Sequence, residues 1–229
     1  DIRNAEKRPV RINDDFTWRM PEDYAASIFF MTNPNAPTSM VFDRAAVAGF
    51  CDNFNGVVLI DEAYVDFADT DCMGLALCAD NANTLVMRTL SKSFSLAGVR
   101  LGYVAGPSDL IEALYKIKDS YNMDMLAQVV GMAALEDLEH MRANVKRIQA
   151  TRKRLTAALR QRGWRVCDSQ TNFIFARPPH GDAARIFTAL REAKIYVRYF
   201  PGEMTGQYLR ITVGTDEQTD ALLSHPVMG

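Results

Sequence analysis

The chain has 229 residues, 48% of them hydrophobic and 24% charged, a balance that gives a globular protein enough apolar side chains for a sizeable core. Basic and acidic residues nearly cancel to a formal net charge of −2, so no strong field favours nucleic acid or an anionic membrane surface. The four cysteines form no Cys-x-x-Cys pair, the three histidines are scattered, no signal peptide opens the chain and no apolar run approaches the ~18–20 residues of a membrane span. The sequence therefore reads as a soluble, cytoplasmic protein with reduced thiols and no zinc pattern.

Residues 1–24 are polar and irregular, with a short strand expected within Ile2–Ile12. Ala26–Thr32 is a continuous apolar run closed by the turn residues of Asn33–Thr38, and predicts a strand buried on both faces. Helical periodicity follows over Asp43–Asn53, with Asp43 as N-cap. Val57–Ile60 is the next buried strand, with Asp61 at its C-terminal end. Thr84–Met87 is another, followed by a polar turn carrying Ser91-Lys92-Ser93 and a second apolar run over Val99–Ala105. This alternation predicts an α/β domain built on a largely parallel sheet covered by helices. Ligands of such sheets bind beyond the carboxyl ends of the strands. The polar clusters Asn33–Thr38, Asp61–Tyr64 and Thr89–Lys92 all follow strands, so one rim is expected to hold all three.

Asp109–Ile117 is predicted helical, capped by Ser108, and Leu126–Leu138 reads as a second, largely buried helix. Leu138–Gln161 is long and basic and ends at Gly163, a surface helix with a solvated basic face that links two domains. Beyond it, short strands at Trp164–Cys167, Asn172–Ala176, Ile195–Arg198 and Tyr208–Val213 surround a helix at Asp182–Lys194, an α+β arrangement. The expected division is 1–137 and 138–229.

Lys92 lies between two serines just past a buried strand, with the hydroxyls of Thr89 and Ser91 on the same turn and Arg100 eight residues on. Neutral hydroxyl donors and one planar guanidinium are what a bound phosphate needs. A lysine beside such a phosphate is what a Schiff base to a phosphorylated aldehyde needs. In Tyr208–Val213, alternation turns Arg210 away from Leu209 and Ile211, so the apolar pair can be buried while the arginine faces a cleft.

The stretch TLSKSFSLAGVRLGY resembles the lysine segment of the fold-type I pyridoxal-phosphate (PLP) enzymes, and within them is most similar to the histidinol-phosphate aminotransferase family. NPNAPTSMVF, LIDEAYVDF and YLRITVG occur in that family's order. The resemblance implies the PLP-binding large domain of fold type I followed by a smaller α+β domain. It implies PLP held on Lys92, which also moves the substrate's Cα proton. Asp61 would face the pyridine nitrogen and keep it protonated, and Tyr64 would hydrogen-bond the cofactor's phenolic oxygen. Thr89, Ser91 and Arg100 would anchor the phosphate, and Arg210 the substrate's anionic end. Arg198 is either a second anchor for a substrate phosphate or an exposed strand arginine; Asn172 lies near the substrate or caps a strand. Glu62 matches no such role and reads as structural.

One motif departs from the family. In NPNAPTS, Ala36 stands where many members have the asparagine that bonds the phenolic oxygen, and Ser39 stands at the glycine position. Either Asn35 or a water substitutes, or Tyr64 serves alone; the alternative for Asn35 is a turn residue between two prolines. The resemblance also starts partway into the family's large domain, so the chain reads as lacking an N-terminal third. That third would carry a further phosphate-binding turn, the ring that stacks on the cofactor, and the tyrosine lent by a neighbouring subunit. The implied function is ping-pong transamination between L-histidinol phosphate and 2-oxoglutarate in histidine biosynthesis, by a homodimer. The alternatives are an aromatic aminotransferase, a phospho-amino-acid decarboxylase, or a truncated non-catalytic module.

Overall fold

The computed structural model describes residues 5–18 and 24–229. Part of the strand expected within Ile2–Ile12 lies outside the described residues, and 5–12 run without a strand. The first regular element is β1 (Ile28–Thr32). It is followed by α1 (Arg44–Asn53), β2 (Val57–Asp61), a 3-10 turn (Val65–Phe67), the single-turn α2 (Met73–Ala76) and β3 (Thr84–Thr89). Asp43 caps α1 as expected, its carboxylate accepting from the Ala46 N–H at 2.9 Å. After the lysine turn, Ala97–Val99 form a 3-10 turn, so only Gly102–Ala105 of the second apolar run becomes strand β4.

The four strands form one sheet in the order β1-β2-β3-β4, with β1, β2 and β3 parallel and β4 antiparallel. Thr32 pairs with Asp61, and Asp61 with Met87, so the three parallel strands end on one rim. Asn33, Glu62 and the Thr89–Lys92 turn all emerge there.

The sheet's core lies on one face. Phe29, Met31, Val58, Ile60 and Val86 pack with Val47, Phe50, Cys51 and Phe54, most of them from α1. The expectation of a β1 buried on both faces is corrected: Phe29 and Met31 are buried, but Ile28 is 50% and Phe30 72% exposed. An unbroken apolar run hides no alternation, so it cannot tell which face of its strand is covered.

α3 (Ser108–Ile117) starts with Pro107 at the N-cap; Ser108 is the first helical residue, and no side chain caps the helix. The largely buried helix expected over Leu126–Leu138 is α4 (Met125–Glu136), in which only Ala127 and Gly131 are buried. Gly131 allows the one close approach, since a Cβ there would collide with the Leu101 side chain. Met125, Leu126, Val129 and Met132 are exposed. A helix apolar on every side is normally enclosed, and among the described residues nothing encloses this one.

α5 (Leu138–Gln161) buries Val145, Thr151, Leu155 and Leu159 on one side. It packs on a second sheet of β5 (Arg165–Val166), β6 (Phe173–Arg177), β7 (Arg198–Tyr199) and β8 (Leu209–Thr212), in the antiparallel order β5-β6-β8-β7. α6 (Ala183–Glu192) and α7 (Asp216–Ser224) close this second core around Trp164, Ile174, Leu190, Leu209 and Ile211. The strand expected over Ile195–Arg198 is shorter and shifted to Arg198–Tyr199. Among the described residues no helix is long and apolar enough to cross a membrane.

The amino-terminal segment ties the two cores together. Phe16 is buried against Phe175 and Tyr208 of the second unit, while Trp18, two residues on, meets Phe50 of the first edge-on at 5.3 Å. Phe16 holds φ 67°, a conformation costly for an aromatic residue and maintained here by the packing around it.

Candidate active site

Lys92 leaves β3 on a turn fastened by its backbone, with Ser95 N–H donating to the Lys92 carbonyl at 3.1 Å and Leu96 N–H to Leu90 at 3.1 Å. The buried Ser93 hydroxyl donates to the Asp66 carboxylate, joining this turn to the segment just after Tyr64. Among the described residues the Lys92 ammonium has no carboxylate and no hydrogen-bond partner; Nζ lies 5.2 Å from the centre of the Tyr64 ring. A half-buried amine left without a partner is available for covalent chemistry.

Beside it, Thr89 Oγ1 lies 2.8 Å from Ser91 Oγ and 3.1 Å from the Leu101 carbonyl, and the Ser91 N–H donates to Thr89 Oγ1 at 3.1 Å. The structure thus brings together the two predicted phosphate hydroxyls. Arg100 is exposed and αL, with Nη1 donating to the Ala97 carbonyl of its own turn at 2.8 Å. Its backbone reaches the same place, because Thr89 pairs with Gly102, two residues on.

Asp61 ends β2 half-buried; one carboxylate oxygen accepts from the Ala63 N–H at 2.9 Å, which holds the side chain at the rim. Glu62, next along, turns the other way into the protein. Its Oε1 accepts from the Cys72 N–H at 2.5 Å and its Oε2 from Arg88 Nε at 2.8 Å, so its reading as structural holds. Burial pushes the Glu62 carboxyl above its ordinary value, outweighing those bonds, while Glu62 holds the Arg88 guanidinium charged despite its own burial.

The Asn33–Thr38 loop is tied to its neighbours through Asn33 and closed on itself through Asn35. Asn33 accepts from the Phe42 N–H at 2.8 Å, and its own N–H donates to the Asp61 carbonyl at 2.9 Å. Asn35 Nδ2 donates to Thr32 Oγ1 and its Oδ1 accepts from Thr38 Oγ1, both at 2.8 Å. That fits the turn-forming alternative for Asn35, with both ends of its amide engaged inside the loop. Ser39 holds a backbone conformation that favours glycine. It is fully buried at φ 67°, and its hydroxyl has no partner among the described residues. Ser39→Gly is therefore expected to stabilise the protein by about 1 kcal/mol through relief of the left-handed backbone. Urea unfolding midpoints compared with the parent would check this.

Across the rim, the Tyr64 ring meets Phe173 edge-on at 5.0 Å, and Phe173 in turn lies 4.9 Å from the Arg210 guanidinium, which sits 5.5 Å from Phe200 on another side. Leu209 and Ile211 are buried and Arg210 faces away from them, as alternation predicts. Its Nε is buried without a hydrogen-bond partner among the described residues. Arg198 stands directly opposite Arg210 in the β7–β8 ladder. Asn172 immediately precedes β6, its carbonyl accepting from the Val213 N–H at 2.9 Å. Sequence reasoning missed Phe173 and Phe200, because a ring that shelters a cation has the same pattern as a core ring.

The chain is 45% identical to a histidinol-phosphate aminotransferase of Aromatoleum aromaticum, over 93% of this chain and 62% of that protein. It is 40% identical to the one of Citrifermentans bemidjiense, over 96% of this chain and 63% of that protein. The chain thus spans a little under two thirds of the length of these curated relatives. Its fold matches the crystal structure of histidinol-phosphate aminotransferase from Sinorhizobium meliloti in complex with pyridoxal-5'-phosphate at a TM-score of 0.81 and 25% identity, covering 89% of this chain and 57% of that one. The expected fold-type I architecture is borne out. The model of the family described as aminotransferase class I and II matches residues 12–225, and with that rim geometry beneath it the chain belongs to this family.

Proposed function

We propose that the chain is the larger part of a PLP-dependent aminotransferase that exchanges an amino group between L-histidinol phosphate and 2-oxoglutarate. The donor set suits the cofactor: a lysine without a hydrogen-bond partner among the described residues, two converging hydroxyls, and a carboxylate and a tyrosine on the same rim. When bound, PLP supplies an electron sink for the charge that develops at the substrate's Cα. Lys92 would carry it covalently and, once freed, take the Cα proton on Nζ and return it. Asp61 would hold a proton on the ring nitrogen, Tyr64 would donate to the phenolic oxygen, and Thr89, Ser91 and Arg100 would bind the phosphate. With Ala36 mute and Asn35 engaged in its loop, Tyr64 carries that oxygen without a second side chain from this segment.

The observation that carries the substrate assignment is the pair Arg198 and Arg210. Like charges directly opposite on neighbouring strands repel, and among the described residues neither arginine has a carboxylate partner. An anion between them resolves the conflict, and guanidinium forks suit a phosphate or a carboxylate. The names of the two relatives at 40–45% identity point the same way. Asn172, just before the adjacent strand β6, would face the same substrate.

Arg198→Ala is expected to leave the unfolding temperature unchanged or raised, because the repulsion is gone, while KM for L-histidinol phosphate rises and kcat changes little. With L-histidinol phosphate, which has no carboxylate to lose, a keto product formed together with glutamate supports transamination. In a parallel assay, CO2 released from a phosphorylated amino acid that does carry an α-carboxylate would favour the decarboxylase reading. An unaltered KM in the variant would overturn the phosphate role of Arg198.

The proposed assembly is a homodimer, supported by the uncovered apolar surface of α3, α4 and the turn between them, where Ile117, Tyr121, Met125 and Leu126 are exposed. The proposed setting is the cytoplasm, where the exposed Cys78 thiol would remain reduced. The proposed division near 137 falls at Asp137, which ends α4 and caps α5 by accepting from the His140 N–H at 3.1 Å.

A further inference from the structure

Arg152 lies on the basic helix α5, where a guanidinium would ordinarily be solvated. It is half-buried instead, and its Nη1 donates to two main-chain carbonyls: Phe67 at 3.1 Å and Thr171 at 2.7 Å. Phe67 comes three residues after Tyr64 and Thr171 two before Phe173, so one nitrogen bridges the segments whose rings meet across the site. Gln149, one helical turn earlier, donates to the same Phe67 carbonyl at 3.3 Å. Gln170 and Asp69 bond each other reciprocally beside this bridge at 2.9 and 3.1 Å, and the Gln170 N–H donates to the Ser39 carbonyl at 2.8 Å. Burial pushes the Arg152 pKa down, partly offset by the charge of Asp69. A cation kept there without a carboxylate in contact, among the described residues, is retained for what its donors hold in place.

We infer that Arg152 is a positioning residue that sets the separation between the lysine–tyrosine half of the site and the arginine half. The inference rests on the proposed aminotransferase reading. Tyr64 and Arg210 both touch Phe173, and Phe173 is anchored through Thr171, so loosening the bridge lets the two halves move apart. Arg152 itself need touch neither cofactor nor substrate.

The test compares Arg152→Met and the milder Arg152→Lys with Arg160→Met. Arg160 lies on the same helix and, among the described residues, bonds only within the second unit, to the Val166 carbonyl at 2.8 Å and Asp168 at 2.6 Å. Each protein, expressed with whatever flanking sequence its gene encodes, is treated with PLP and borohydride and its adduct mapped. It is then assayed with L-histidinol phosphate and 2-oxoglutarate, and its unfolding temperature recorded. The expected result is that all three variants still attach cofactor at Lys92, while only the Arg152 variants lose roughly 10–100-fold in kcat/KM, the penalty for misplacing reacting groups. Arg152→Lys should fall between Arg152→Met and the parent. Arg152 variants that lose thermal stability as Arg160→Met does, with unchanged kcat/KM, would overturn the inference and leave the aminotransferase reading standing. A parent protein that forms no adduct would overturn that reading and this inference with it.

Discussion

Lys92→Ala is expected to abolish covalent cofactor attachment and to lower transamination by at least about 10⁴-fold, the upper range for loss of a positioned proton-transfer group. Stability should barely change. Among the described residues the ammonium has no hydrogen bond or ion pair, and its one aromatic contact, with Tyr64 at 5.2 Å, is worth about 0.5–1 kcal/mol. The turn is held instead by Ser93 on Asp66 and by main-chain bonds from Ser95 and Leu96, none of which needs the lysine side chain. Borohydride reduction in the presence of PLP, followed by peptide mass mapping, should place an adduct on Lys92 in the parent and nowhere in the variant. Lys92→Arg separates charge from nucleophilicity: it keeps a cation over Tyr64 but cannot attach the cofactor, so it should be as inactive as the alanine variant. Transamination retained by either variant would sink the assignment of Lys92.

The parts of this fold that were legible in the sequence are those where local pattern and tertiary outcome coincide. β1, β2 and β3 are short apolar runs closed by polar turns, and parallel pairing puts those turns on one rim, so the sequence pattern alone groups Asn33, Asp61 and Lys92. The reading failed where apolarity depends on what lies outside the chain segment. Phe30 and the sides of α4 carry the same signal as core residues, yet they are exposed, because periodicity reports an apolar face and not its cover. It was also silent on long-range polar contacts. Arg152 reaches carbonyls 85 and 19 residues away, and in a helix rich in arginine and lysine nothing local marks it out. The opposition of Arg198 and Arg210 depends on strand register, which the sequence of either strand alone does not determine. Arg100 and Asn35 add a further lesson: motif position located their backbones, while their side chains bond within their own turns.

Arg88→Met should be the most destabilising single change among these sites, at about 3–5 kcal/mol, because it strands a buried carboxylate. The Glu62 side chain is fully buried; Arg88 Nε donates to Oε2 at 2.8 Å, and Nη2 lies 2.7 Å from the same oxygen at ion-pair distance without hydrogen-bond alignment. Asp71, 3.5 Å from Nη2, is half exposed and adds little. The pH dependence has a definite sign. The folded-state pKa of Glu62 is raised by burial, so the folded protein binds this proton more tightly than the unfolded chain does. Ionisation of Glu62 therefore opposes folding: the penalty is absent below the unfolded value of 4.5 and accumulates as pH rises through the folded one. Without Arg88 the attraction that limits this penalty is gone. The deficit of Arg88→Met should accordingly be smallest near about pH 4 and largest at neutral pH, read from urea midpoints at the two conditions. Adding Glu62→Gln removes the stranded charge, so the double variant should recover much of the neutral-pH loss, and the cycle of four proteins yields the coupling. A deficit independent of pH, with no recovery in the double variant, would mean that Arg88 acts through packing of its stem. The pair also bears on the site, because Glu62 follows Asp61 and Arg88 precedes Thr89. With the Glu62 N–H donating to the Met87 carbonyl at 2.8 Å, it fixes the ends of β2 and β3 against each other, and those ends carry Asp61 and the Lys92 turn.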